Sequence, residues 1–222
     1  AHPDAYFGYE LEGDILFSRQ DFRQAAAAYA IASSKASSAQ LARKLFQSRF
    51  KAGEPESADE ALRQWLSSHP EDVLLRRMLA TSLQIQGKNP QAIKEYLTVL
   101  KQDPDNIIAL NNVAWLYQDA GNPEGLKYAE RANELAPERP DIIDTLGWLL
   151  VQNGDINRGL VLLQEAALKA PNIPGIRYHM VVALDMAGRR DEARVELDRL
   201  LNSNKTFPDR DKAEALRARM SN

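Results

Sequence analysis

The chain has 222 residues, with 28 Lys+Arg against 31 Asp+Glu and a formal net charge of −3, so it lacks the basic footprint of a nucleic-acid binder. Hydrophobic residues at 44% and charged residues at 27% match a soluble globular composition and exclude a disordered chain. It contains no cysteine, which removes disulfide, zinc–thiolate and thiol-nucleophile chemistry together. No run of about 18 apolar residues marks a membrane span. A start at Ala1 rather than Met raises the expectation of a leader, a lipid anchor or a larger N-terminal region ahead of it.

Three residue classes share one period. Gly53, Gly87, Gly121, Gly154 and Gly188 recur every 33 or 34 residues, as do Pro70, Pro104, Pro137 and Pro171. Small residues keep the same step at Ala58, Ala92, Gly125, Gly159 and Ala193. A period of this length means an array of helical hairpins. The spacing predicts hairpins over about residues 5–38, 39–72, 73–106, 107–139, 140–173 and 174–207, then a capping helix over 208–222.

In chain order, the first hairpin is the poorest match, with Arg19 at its glycine position and Ala25, Tyr29 and Ala32 marking its second helix. The third shows the unit most plainly. Leu75, Leu79, Ala80 and Leu83 form one amphipathic stripe, and Gly87 stops it by accepting the left-handed turn. Pro90 suits a first helical turn. Ala92, Ile93, Tyr96, Val99 and Leu100 form the second stripe, which Asp103-Pro104 ends. Later copies repeat the stripe at Val113, Ala114, Leu116 and Tyr117, and at Leu146, Leu149 and Leu150. After Phe207-Pro208, Ala213, Leu216 and Met220 mark an amphipathic helix with a charged outer face, as a terminal cap needs.

Leu79-Ala80, Leu83, Gly87, Ala92, Tyr96 and Pro104 resemble the tetratricopeptide repeat, as do Leu146-Gly147, Leu150, Gly154 and Pro171. The resemblance covers nearly the whole chain and implies an all-α superhelix of about six hairpins. Its usual small residue at the helix crossing is Ala80, Ala114 and Gly147 in the middle copies. Phe46 and Val181 stand there toward the ends, so looser or rotated packing is expected at those crossings.

The resemblance also implies a concave face lined by first helices. The candidate positions are Gln40, Arg43, Lys44 and Gln47, then Arg77, Thr81 and Gln84. They continue with Asn111, Asn112, Trp115 and Gln118, then Asp141, Asp144, Trp148 and Gln152, then Tyr178 and Val182. The early part is basic and the later part aromatic with amides and carboxylates. Trp115 and Trp148 occupy one repeat position 33 residues apart, outside the core stripe. Three readings of them stand side by side: packing against the neighbouring repeat's first helix, contact with a ligand such as a protein hot spot or a sugar ring, or a crystal or oligomer contact. Asn111 and Asn112 suit the backbone of an extended peptide, although asparagine at 112 is also a structural habit of the family. Arg43, Lys44 and Arg77 suit a carboxylate or phosphate, against the plainer reading of a solvated face. The carboxylate clamp of chaperone-binding repeats is not matched, because Thr81, Asp141 and Thr145 stand where it needs cations or amides.

Nothing points to catalysis, a cofactor or a metal. His2, His69 and His179 form no i, i+4 pair, and no phosphate loop or nucleophile elbow is present. Asp141 after Pro140 reads as dipole compensation at a helix start. Asn204-Lys205-Thr206 matches a glycosylation acceptor, a short and unspecific pattern.

A narrower resemblance covers residues 107–222. Asn111-Asn112-Val113-Ala114-Trp115-Leu116-Tyr117, Asp144-Thr145-Leu146-Gly147-Trp148, Ile176-Arg177-Tyr178-His179 and Phe207-Pro208-Asp209-Arg210 resemble the C-terminal part of bacterial PEP-CTERM-system TPR lipoproteins. It implies a longer lipid-anchored parent on the periplasmic or outer-membrane side, a scaffold in exopolysaccharide export or protein sorting. The expected function is a non-catalytic groove holding a protein or peptide segment. The alternatives are a polysaccharide strand on Trp115, Trp148 and Tyr178, a docking arm of an enzyme elsewhere in a longer chain, and a cytoplasmic setting.

Overall fold

The computed structural model describes residues 6–203 and 206–220. His2, and Asn204 and Lys205 of the glycosylation pattern, lie outside them. Among the described residues the regular secondary structure is all α-helix. The helices are α1 (Tyr6–Ser18), α2 (Phe22–Lys35), α3 (Ala39–Lys51), α4 (Pro55–Ser68), α5 (Val73–Ile85), α6 (Asn89–Gln102), α7 (Ile107–Asp119), α8 (Gly125–Leu135), α9 (Pro140–Gln152), α10 (Ile156–Lys169), α11 (Pro174–Met186), α12 (Arg190–Asn202) and α13 (Arg210–Met220). Two compact units divide the chain, Ala1–Pro104 and Asp105–Asn222. None of the described helices is long and apolar enough to cross a membrane.

The helix ends follow from local chemistry. Ser38, Asp72, Asn106 and Asp155 accept backbone N–H bonds at the starts of α3, α5, α7 and α10, satisfying donors that a first turn leaves open. At Gly87 (φ 71°) α5 stops. The Gly87 N–H bonds to the Gln84 carbonyl at 2.9 Å and the Lys88 N–H to that of Leu83 at 2.9 Å, the paired closure of a left-handed helix end.

The first hairpin corrects the expectation for Arg19. Its left-handed residue is Gln20 (φ 66°), with the same closure from Gln20 to Phe17 and from Asp21 to Leu16. The cause lies downstream. Residues 36–38 join α2 to α3, one fewer than the 69–72 and 103–106 connections, so this step is shorter by one.

Each unit buries its stripes. In the first, Tyr29, Leu41, Leu62, Leu75, Leu79, Leu83 and Tyr96 are almost fully buried. In the second, one cluster runs from Ile143 through Leu163, Val181 and Leu197 to Leu216 of α13. The final helix thus covers apolar surface that α11 and α12 would otherwise expose.

Candidate functional site

The candidate residues lie on first helices, α3 and α5 in the first unit and α7, α9 and α11 in the second. Their surroundings differ sharply.

In the first unit Arg43 is exposed and Arg77 half-buried, and neither guanidinium makes an ion pair among the described residues. Lys44 is different. Its Nζ lies 2.7 Å from Glu10 and 2.7 Å from Asp14 of α1, and Gln40 donates to Glu10 at 2.8 Å. The lysine expected to face a ligand is neutralised by its own neighbours. Burial pulls the Asp14 pKa up, but hydrogen bonds from Lys44 and Tyr29 outweigh it and hold the carboxyl below its ordinary value. Thr81 is also committed: its Oγ1 bonds the Arg77 carbonyl at 3.0 Å and shares a bond with the Tyr96 hydroxyl at 2.9 Å. Gln84 accepts from Tyr96 at 3.0 Å, and Gln47 is half-buried.

Sequence reasoning missed a pocket here. Phe46 and Phe50 of α3 meet Arg77, Met78, Thr81, Ser82 and Ile85 of α5 around a cavity of about 210 Å³. The signal was present in Phe46, a large ring where the middle repeats carry alanine or glycine. It read only as loose packing.

In the second unit the conspicuous side chains bond to one another. Trp115 Nε1 donates to Thr145 Oγ1 at 2.8 Å, and Thr145 donates to the Asp141 carbonyl at 2.9 Å. Trp148 stacks on His179, with centroids 4.4 Å apart and planes at 22°, and Trp115 lies 5.6 Å from the same imidazole. His179 Nδ1 lies 2.9 and 3.0 Å from the two oxygens of Asp144, which is 7% exposed. Each indole therefore reaches across to the next repeat's first helix, as the packing alternative expects. Asp144 is a nearly buried carboxylate turned toward His179 of the next repeat.

Tyr178 is a second correction. It is 8% exposed and packs toward Phe207, so the capping segment covers the ring that was expected to line a groove. Burial raises its pKa. Asp141 pairs with Arg139 at 2.6 Å. Asn111 and Asn112 are half-buried, and Asn111 Oδ1 is buried without a hydrogen-bond partner.

Two tetratricopeptide repeat models match the chain, one over residues 43–107 and 77–140 and the other over 150–220, together well over half of its length. The chain belongs to the tetratricopeptide repeat family. A TPR repeat-containing protein of Pseudomonas aeruginosa is 29% identical over 122 residues, covering 53% of this chain and 20% of that protein. The chain thus spans about a fifth of that relative's length. Among solved structures, a tetratricopeptide repeat protein from Parabacteroides merdae superposes with a TM-score of 0.83 at 15% identity, over 97% of this chain and 85% of that one. PilF of Pseudomonas aeruginosa gives 0.75 at 17% identity, over 95% and 97%. MamA of Desulfovibrio magneticus gives 0.68 at 18% identity, over 77% and 99%. At these identities the likeness is one of fold.

TPR arrays generally serve as non-catalytic scaffolds for protein or peptide partners. In this TPR chain Trp115, Asp144 and Trp148 of the second unit reach the next repeat's first helix, and Tyr178 packs toward the capping segment. In the first unit, Arg43 and Arg77 make no ion pair among the described residues. The narrower resemblance of residues 107–222 is carried by its motifs alone.

Proposed function

We propose that the chain is a non-catalytic scaffold that holds a partner protein segment on the α3–α5 face of its first unit. One observation carries this reading. Of the candidate binding residues, Arg43 and Arg77 combine a full charge with no acidic partner among the described residues, and Arg77 borders an apolar pocket. Cations kept uncompensated beside apolar surface favour an encounter with a complementary acidic surface.

The setting we propose is bacterial envelope exopolysaccharide export or PEP-CTERM protein sorting, at the periplasmic or outer-membrane side. The resemblance of residues 107–222 to that group's lipoproteins supports it. A polysaccharide strand is disfavoured as ligand, since Trp115 and Trp148 have their polar edge or ring face engaged by Thr145 and His179. A docking arm within a longer protein is a second reading, favoured by the alignment to only 20% of the curated relative.

A photo-crosslinking residue at position 43, compared with one at the exposed Val161 of α10, tests the scaffold in the cells that make the protein. A discrete protein adduct from position 43 and none from 161 is expected. Equal or absent labelling at both positions would remove the reading.

A further inference from the structure

The pocket between α3 and α5 also specifies what it takes. At about 210 Å³ it is smaller than the roughly 300–1,000 Å³ of small-molecule sites, so it has room for one large side chain and not for a cofactor. Its two hydroxyls are already used. Thr81 is bonded to the Arg77 carbonyl and Tyr96, and Ser82 donates to Asp59 at 2.5 Å. What remains for a visitor is the surface of Phe46, Phe50, Met78 and Ile85, with Ile85 67% exposed. Among the described residues Arg77 is the one charged side chain in the lining, and the acid behind it, Asp59, is buried and takes bonds from Ser82 and Gln86. Arg43 stands seven residues before Phe50, two turns along the same helix face, and is exposed.

We propose that this pocket anchors one large apolar side chain of an acidic partner segment, whose carboxylates beside that side chain meet Arg77 and Arg43. The proposal deepens the scaffold reading and rests on it. The apolar wall supplies burial, and the guanidinium fork supplies the charge-assisted hydrogen bonds that select acid over amide. A second apolar cavity, of about 340 Å³, lies on Met180, Leu184 and Val195 with Asp191, Glu192 and Glu196 around it. Its Glu192 and Glu196 are already paired with Arg189, Arg177 and Arg199, and its lining holds acids and no cation to meet a partner's carboxylates, which makes Met180 an internal control.

The test is a titration of the full chain, ¹³C-labelled at its methionine methyls, with acetyl-Glu-Asp-Phe-Asp-Glu-amide. A saturable shift of the Met78 methyl with Met180 unmoved is expected. Affinity should fall roughly 10-fold or more when alanine replaces the peptide's phenylalanine, and likewise when amides replace its acids. Ile85→Asp, at an exposed position, should abolish the shift without lowering the melting temperature, and Arg77→Gln should weaken binding roughly 10-fold. A silent Met78, or equal binding of the amide peptide, overturns the proposal. A Met78 shift that depends on protein concentration alone also overturns it, in favour of a second copy as occupant. A partner adduct at position 43 alongside a silent Met78 removes the acidic-anchor chemistry and leaves the scaffold standing, so the two readings fail separately.

Discussion

Gly147 and Gly159 meet backbone to backbone where α9 crosses α10: a β-carbon added at Gly159 would stand 2.6 Å from the Gly147 carbonyl oxygen, and one at Gly147 would stand 3.0 Å from that of Gly159. Two helical glycines cost roughly 0.5–1 kcal/mol each relative to alanine, so the crossing must return more than that through contact. The preceding hairpin repeats the device once, with Gly125 held 2.9 Å from the Ala114 carbonyl by the same measure.

Gly159→Ala should therefore destabilise the chain by about 1–3 kcal/mol through overpacking, even though alanine is the better helix former by about 1 kcal/mol. Gly147→Leu should cost more, because Leu163 and Leu162 also close on that position. Gly175→Ala is the control. It lies in α11 with nothing near its β position, so it should be neutral or stabilising by up to about 1 kcal/mol. Urea unfolding of the three variants reads the difference, and wild-type stability in Gly159→Ala would refute the crossing.

Trp115 and Trp148 converge on one imidazole, which couples them. Trp148→Ala removes the stack on His179 and should cost about 2–3 kcal/mol, below the roughly 3–5 kcal/mol of a fully buried aromatic because the indole is half-buried. Trp115→Phe keeps a ring but leaves Thr145 without its donor, worth about 1 kcal/mol. Residues that share a partner are not additive. A double-mutant cycle should show a coupling of at least about 0.5 kcal/mol, and strict additivity would mean that His179 does not link them.

The hairpins were legible because each is a local object. Its glycine and proline are set by backbone conformation within a few positions, as at Gly87 and Asp103-Pro104, and its small crossing residue by a contact inside the same hairpin, as between Gly147 and Gly159. The one slip, Arg19 for Gln20, came from a connection shortened by one residue, which a fixed period cannot see. The site was less legible because its decisive partners are non-local. Thr145 stands 30 residues after Trp115, His179 31 after Trp148, and Glu10 34 before Lys44. Trp115 and Trp148 announced their repetition but not what covers them, and Lys44 announced its charge but not its neutralisation. Phe46 announced its size, yet only the packing of α3 on α5 turns size into a pocket.

Asp72 does two jobs at the joint of α4 and α5. One oxygen accepts the Leu75 N–H at 3.0 Å as the helix cap, and the other accepts Trp65 Nε1 at 2.8 Å. Asp72→Ala should cost about 2 kcal/mol, about 1 for the cap and about 1 for the stranded indole N–H. Asp155 caps α10 through a longer 3.4 Å bond, and its replacement by alanine should cost about 1 kcal/mol or less. Equal losses in denaturant melts of the two variants would show that the Trp65 bond contributes nothing.

Asp14, Tyr29 and Lys44 tie α1 to α2 and α3: Tyr29 donates to Asp14 at 2.6 Å, and Lys44 bridges Asp14 and Glu10. Asp14's pKa is lowered in the folded chain, the bonds from Lys44 and Tyr29 outweighing the upward pull of burial. Its stabilisation is complete above the unfolded carboxylate value of about 3.9 and is lost as pH falls through the lower folded value. The Lys44 pKa is raised, the two carboxylates outweighing the downward pull of burial. Its contribution is complete below the unfolded value of about 10.4 and is lost as pH rises through the higher folded one. The Asp14 side chain is 45% exposed, so solvent screens the effect and local fraying of α1 is the expected consequence. Hydrogen exchange of α1 amides, corrected for intrinsic rates, should be level between about pH 5 and 9 and lose protection below about pH 4. Asp14→Asn should lower the plateau and flatten the acid limb. An acid limb unchanged in that variant would assign the loss to some other carboxylate.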